Sequence, residues 1–168
     1  MKKLFCGLSL AALLAGCANY NGAGLVPGVS GANDVEAAMG APKEVRKVPG
    51  GGTVMWYPRM PYGDGSYAAL IGADGKLVAI EQRITEENIA HIVPGKSTAD
   101  EVRDIVGPPY RIDQFPRLGR EVWTYRIVLS FPFPKALYVQ FSADGIVREV
   151  YYIDDPEVPR PGDGGRMG

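Results

Sequence analysis

Cysteine is almost missing from this chain. Cys6 and Cys17 are the two in 168 residues, and both fall within the first 17 positions. A chain cut anywhere between them keeps one thiol and has no internal disulfide, so its stability must come from an ordinary apolar core. Histidine is scarcer still. His91 stands alone between Ile89 and Ile92 with no cysteine near it. A lone histidine beside apolar residues reads as a packed or surface residue rather than a catalyst. An excess of one charge is also lacking: 18 Lys and Arg face 19 Asp and Glu. That balance argues against nucleic acid, whose binders carry a basic surplus or stripe. The longest nearly unbroken apolar run, Leu4 to Ala15, has 12 residues. It falls well short of the roughly 20 needed to span a bilayer as a helix.

Catalytic signatures are absent as well. Gly28-Val29-Ser30-Gly31 lacks the Gly-x-Ser-x-Gly spacing of a nucleophile elbow. Gly50-Gly51-Gly52 has no following lysine and reads as a hairpin turn, not a phosphate loop. Asp154-Asp155 is not set in a calcium-type loop, and Asp64 sits in a Gly-rich turn. No carboxylate pair is singled out for acid–base work. The expectation is a protein that is not an enzyme and needs neither metal nor cofactor.

What is present begins at the N-terminus. Lys2 and Lys3 precede the apolar run, which ends in Leu14-Ala15-Gly16-Cys17. This charged, apolar, small-residue order is that of an export signal. An ordinary secretory signal with a chance cysteine, or a short membrane helix, are the alternatives. The ending resembles the lipobox of bacterial lipoproteins. The resemblance implies cleavage before Cys17 and lipid on its thiol, with residues 1–16 as signal peptide and 17–24 as an acylated, flexible tether. Ala18 is not the aspartate associated with inner-membrane retention in that class. The implied location is therefore the outer membrane, on its periplasmic face, with the membrane as a partner through the lipid. Loss of Lys2 and Lys3 leaves 16 basic residues against 19 acidic ones, a net charge of −3.

The remainder repeats itself, a pattern to be sought before any fold assignment. Val26-Pro27-Gly28-x-Ser30 matches Val93-Pro94-Gly95-x-Ser97 at an offset of 67. The offset holds for Val35 and Val102, Gly40 and Gly107, Pro42 and Pro109, Trp56 and Trp123, and Arg59 and Arg126. It becomes 70 at Ala73-Asp74-Gly75 and Ala143-Asp144-Gly145, which predicts three extra residues near Ser130 to Lys135. Residues 25–91 are expected to form repeat 1, 92–153 repeat 2, and 154–168, poor in apolar residues, a disordered tail.

Each repeat predicts an α+β unit, one or two short helices on an antiparallel sheet of three or four strands. Ser97 with Asp100 is the expected capping box, and Ser30 the cap of the first copy. Val102, Ile105 and Val106 form the apolar stripe of a helix that Gly107 and Pro108-Pro109 end; Val35, Ala38 and Met39 repeat it before Gly40. Val54–Tyr57, Tyr67–Ile71 and Leu77–Ile84 read as strands, as do Val122–Val128, Leu137–Phe141 and Ile146–Ile153. Asp74-Gly75 and Asp144-Gly145 mark hairpins. Thr85 caps an extra short helix running towards Ile92. Trp56 and Trp123 are expected in the cores of equivalent sheets.

The pattern Pro-Gly-x-Ser, Val, Gly-x-Pro and a later Trp resembles the BamE/SmpA family of small outer-membrane lipoproteins. It is carried by Gly28, Ser30, Val35, Gly40, Pro42 and Trp56, and again by Gly95, Ser97, Val102, Gly107, Pro109 and Trp123. The resemblance implies a non-catalytic subunit of envelope maintenance with a protein partner in the envelope, in the assembly of outer-membrane β-barrels. Two units instead of one depart from the usual pattern of that family. The tandem arrangement is also similar to secreted β-lactamase inhibitor proteins, which implies an inhibitor or modulator of a periplasmic enzyme, although the cysteines of their disulfides are lacking here.

Four residues are candidates for the partner surface. Phe131 and Phe133, with Pro132 and Pro134 between and after them, fall at a hairpin connection and either anchor a partner or lipid or fold back on their own helix layer. Arg117 and Arg120, with Arg126, either meet an acidic group or lie as solvated strand-edge charges. Residues 92–153 hold ten aromatics and residues 25–91 four, which signals a larger core or a functional face in the second copy.

Overall fold

A computed structural model describes residues 21–60, 63, 65–127 and 135–156. The architecture is α+β. Helix α1 (Ala32–Met39) precedes strands β1 (Glu44–Lys47), β2 (Thr53–Pro58), β3 (Ser66–Ile71) and β4 (Leu77–Gln82). Helices α2 (Glu86–Ala90) and α3 (Ala99–Val106) precede β5 (Arg111–Phe115), β6 (Arg120–Ile127), β7 (Lys135–Ser142) and β8 (Val147–Asp154). The strands form two antiparallel meanders, β1-β2-β3-β4 (sheet 1) and β5-β6-β7-β8 (sheet 2).

Strand alternation decides what each sheet buries. In sheet 1, Met55 and Tyr57, Ala69 and Ile71 face α1 and pack on Val35 and Met39. In sheet 2, Trp123, Tyr125, Ile127, Leu137, Val139 and Phe141 face α3 and pack on Val102 and Val106, with Ile84, Ile89 and Ile92 closing the side. The other face of sheet 1 is also occupied. Arg103 Nη1 of α3 donates to Glu44 Oε2 at 2.6 Å. Arg46 meets Asp100 and Asp104, each at 3.3 Å. Arg83 donates to the carbonyls of Ile105 and Asp104 at the end of α3, at 3.0 and 3.2 Å. The layers therefore run α1, sheet 1, α3, sheet 2, with α3 between two sheets.

Corresponding hydrogen bonds recur in the two units. Gly28 N–H donates to Leu77 O, and Gly95 N–H to Val147 O; Leu77 N–H donates to Ser30 O, and Val147 N–H to Ser97 O, all at 2.8 Å. Gly40 and Gly107 end their helices with the same backbone, φ 86° with ψ −175° and −172°. The three extra residues of the second unit are divided. Lys47 pairs with Thr53 across five residues, whereas Gln114 pairs with Glu121 across six. Pro58 pairs with Ser66 and Arg126 with Ala136, which puts the other two between β6 and β7.

The added residue before β6 corrects the expected equivalence of the tryptophans. Glu44 pairs with Trp56, but Arg111 pairs with Thr124, so Trp56 corresponds to Thr124 and Met55 to Trp123. A slip of one residue sends a side chain to the other face. Trp123 lies on the α3 side of sheet 2 against Phe141, with ring centroids 4.7 Å apart. Trp56 lies on the far side of sheet 1 from α1, under the C-terminal end of α3. Both are buried. Arg59 and Arg126 part company for the same reason.

The helix caps differ from expectation by one residue. Thr98 and Glu101 make the capping box of α3, with Thr98 N–H donating to Glu101 Oε2 at 2.8 Å and Glu101 N–H to Thr98 Oγ1 at 3.2 Å. Ser97 and Ser30 instead accept from the N–H groups of Val93 and Val26, pinning the preceding turns. At α1 the N-cap is Gly31, and Asp34 Oδ2 accepts from its N–H at 2.7 Å. Thr85 caps α2 as expected, accepting from Asn88 N–H at 3.1 Å. Ile84, Ile89 and Ile92 pack in the second core, so α2 sits with sheet 2. Asp154 ends β8 and Asp155 is buried against Arg126, so the expected tail cannot begin at 154. No helix among the described residues is long and apolar enough to cross a membrane.

Candidate functional site

The far side of sheet 2 has no counterpart to α3 among the described residues. Its residues follow from the pairing: Arg111, Asp113 and Phe115 on β5, Arg120 and Val122 on β6, Tyr138 and Gln140 on β7, Tyr151 on β8. They surround an open hollow of about 490 Å³, with Leu118 of the β5–β6 connection at its rim. Leu118 is 71% exposed and Phe115 45%. The Tyr138 and Tyr151 rings, opposite each other on β7 and β8, stack at 5.3 Å and 13°. Such a pair presents a wide, rigid, amphipathic surface with few rotamers to lose on binding.

The charge of the hollow is held at one edge. Arg111 Nε donates to Asp113 Oδ2 at 2.9 Å. Burial works against the Arg111 charge, but the Asp113 carboxylate and its hydrogen bond outweigh it and raise the guanidinium pKa further. Arg120 stands at the other edge, half-buried, and also borders a second hollow of about 450 Å³ between Gln114, Pro116, Glu121, Ser142 and the start of α3. In that second hollow one carboxylate, Glu121, accepts from both Gln114 Nε2 and Trp123 Nε1. Glu121 is thereby engaged in holding the indole.

Of the four candidates for a partner surface, Arg120 lies at the junction of the two hollows. Arg117 is exposed in the short 3-10 turn Pro116–Leu118, beside the site but not in it. Phe131 and Phe133 lie outside the described residues, as does Cys17. Arg126 is not a solvated edge charge: it pairs with the buried Asp155. His91 is exposed at the end of α2. Tyr138 and Tyr151 were not picked out by motif. The signal was the excess of aromatics in residues 92–153, which strand alternation divides between core and outer face. Among the described residues no group of three or more His, Cys, Asp or Glu converges as a metal site. No family model, curated protein or solved structure matches the chain.

Proposed function

We propose that this protein is a lipid-anchored protein of the outer membrane that works by binding, and that the outer face of sheet 2 receives a protein partner. One observation carries the reading. Sheet 1 is covered on both faces, by α1 and α3, while the outer face of sheet 2 keeps stacked Tyr138 and Tyr151, exposed Phe115 and Leu118, and flanking arginines. Antiparallel sheets that end in solvent ordinarily turn polar side chains outward. Tyrosine, tryptophan and arginine are the residues that dominate binding energy at interfaces.

The anchor rests on the sequence order Lys2-Lys3, apolar run and Leu14-Ala15-Gly16-Cys17. We read the two units as products of a tandem duplication. The recurring hydrogen bonds from Gly28 and Gly95, and from Ser30 and Ser97, support this. A helix on an antiparallel meander also agrees with the fold implied by the BamE/SmpA resemblance, and with it a role in envelope maintenance and β-barrel assembly. The breadth of the exposed sheet face favours one second reading, an inhibitor or modulator of a periplasmic enzyme.

Capture from detergent-solubilised envelope tests the proposal. The wild-type chain retains barrel-assembly subunits under the first reading, and one soluble enzyme under the second. Tyr138→Ala with Tyr151→Ala lowers capture by about tenfold or more, as expected for interface anchors worth more than 1 kcal/mol each. Capture unchanged by the double substitution, in protein that melts normally, would refute the assignment of this face.

A further inference from the structure

We infer that the outer face of sheet 2 takes helix α1 of a second copy of this chain, head to tail. The inference rests on the reading of that face as a binding surface and names its occupant. The template lies inside the molecule, where the outer face of sheet 1 takes α3. At its centre Glu44 of the sheet receives Arg103 of the helix. Strand pairing and the common offset of 67 make Arg111 the equivalent of Glu44, and Glu36 the equivalent of Arg103. Both charges are reversed together. A second copy seated as α3 is seated therefore brings Glu36 to Arg111, and opposite charges meet again. Arg111 would share its charge between Glu36 and Asp113, as Arg46 is shared between Asp100 and Asp104 in the template.

The shapes change in the same compensating way. Inside the chain, Trp56 of the sheet fills the space beside Gly107, where an added Cβ would lie 2.5 Å from the ring. On the outer face of sheet 2 Thr124, itself buried, replaces Trp56, and the bulk moves one strand over, where Tyr138 replaces Ala68. On the helix, Ala37 replaces Asp104, which in the template meets Arg46 of β1. Gly40 has the backbone of Gly107 and nothing within 4 Å of its Cβ position. Asn33, Glu36 and Ala37 are exposed on α1. Asn33, in the place of Asp100, offers an amide to Asp113, in the place of Arg46. Such an interface joins two different patches, so it leaves one helix and one sheet face open at the ends and extends unless it closes into a ring.

Sedimentation equilibrium of the lipidated full-length protein in density-matched detergent tests this. The wild-type mass is expected to rise with concentration beyond two chains. Glu36→Arg alone, and Arg111→Glu alone, each weaken association by about tenfold or more, since like charges then face each other. Mixing the two single variants restores association, because each junction regains opposite charges. The double variant Glu36→Arg/Arg111→Glu associates by itself. Rescue by mixing also separates charge from misfolding, since a misfolded chain is not rescued by another variant. A wild type that remains one chain, or association indifferent to both reversals, overturns the inference. If that single chain still loses an envelope partner on Tyr138→Ala, the binding face stands and only its occupant is wrong.

Discussion

Gly40 and Gly107 show how one backbone conformation meets two environments. Both lie at φ 86° with ψ near 180°, a region that residues with a Cβ adopt at a cost of about 1–3 kcal/mol. At Gly40 that is the whole cost. At Gly107 the new methyl also strikes the Trp56 ring at 2.5 and 2.7 Å and Ser66 Oγ at 2.8 Å. Gly107→Ala should therefore lose about 1–3 kcal/mol more than Gly40→Ala, the usual cost of overpacking. Urea midpoints of the two variants measure the difference; equal losses would mean that Trp56 moves aside freely. Tyr57 supplies a test by pH. Burial, with Glu36 nearby, pushes its phenol up to about 12. The folded pKa lies above the unfolded one, so the contribution is intact below pH 10 and is lost as pH rises towards 12. Tyr57→Phe should flatten the fall of stability between pH 10 and 12, followed by urea unfolding. An unchanged slope would show that Tyr57 ionises as freely folded as unfolded.

At the scale of elements, α3 is the part on which both units depend. Val102 and Val106 are fully buried on sheet 2, while its other side carries Arg103 to Glu44 and receives Arg83 at its last carbonyls. Arg103 also lies over the Trp123 ring, 4.9 Å from its centroid. The Glu44–Arg103 pair is about three-quarters buried, between the surface pairs that contribute little and the interior pairs whose disruption is costly. A double-mutant cycle with Glu44→Gln and Arg103→Met should return a coupling of about 1 kcal/mol. A coupling near zero would mean that apolar packing alone seats α3 on sheet 1. The helix itself was legible from Val102, Ile105, Val106 and Gly107. Its second contact was not, because nothing in the local spacing of Arg103 and Asp104 shows that sheet 1 is laid against them. The capping error has a similar origin. Serine and threonine are adjacent at 97 and 98, both can cap, and only the turn from Val93 decides which hydroxyl is needed elsewhere.

For the whole molecule, attachment to the membrane is expected to rest on one atom. Cys17→Ser should leave the protein unacylated and released from membranes by a salt wash, while its thermal melting is unchanged. Fractionation with and without detergent checks this; retention of the variant in washed membranes would place the anchor elsewhere.

Composition and spacing by themselves, in which β1 and β5 were not legible, determined the class of fold, six of the eight strands, both Asp-Gly hairpins and the C-terminal ends of α1 and α3. These are local matters, set by turn residues, caps and alternation within a few positions. They did not determine the facing of the tryptophans. A match of Trp56 with Trp123 at one offset ignores a single residue added between Gln114 and Glu121, and in a strand one residue reverses the side. Nor did they determine which aromatics remain outside. Tyr125 and Tyr138 are both strand tyrosines in an aromatic-rich half. One is buried on α3 with its hydroxyl donating to Gly107 O at 3.0 Å, and the other stacks on Tyr151 on the opposite face of the sheet. That division depends on which face the neighbouring helix covers, and α3 could be placed only once both sheets existed to hold it.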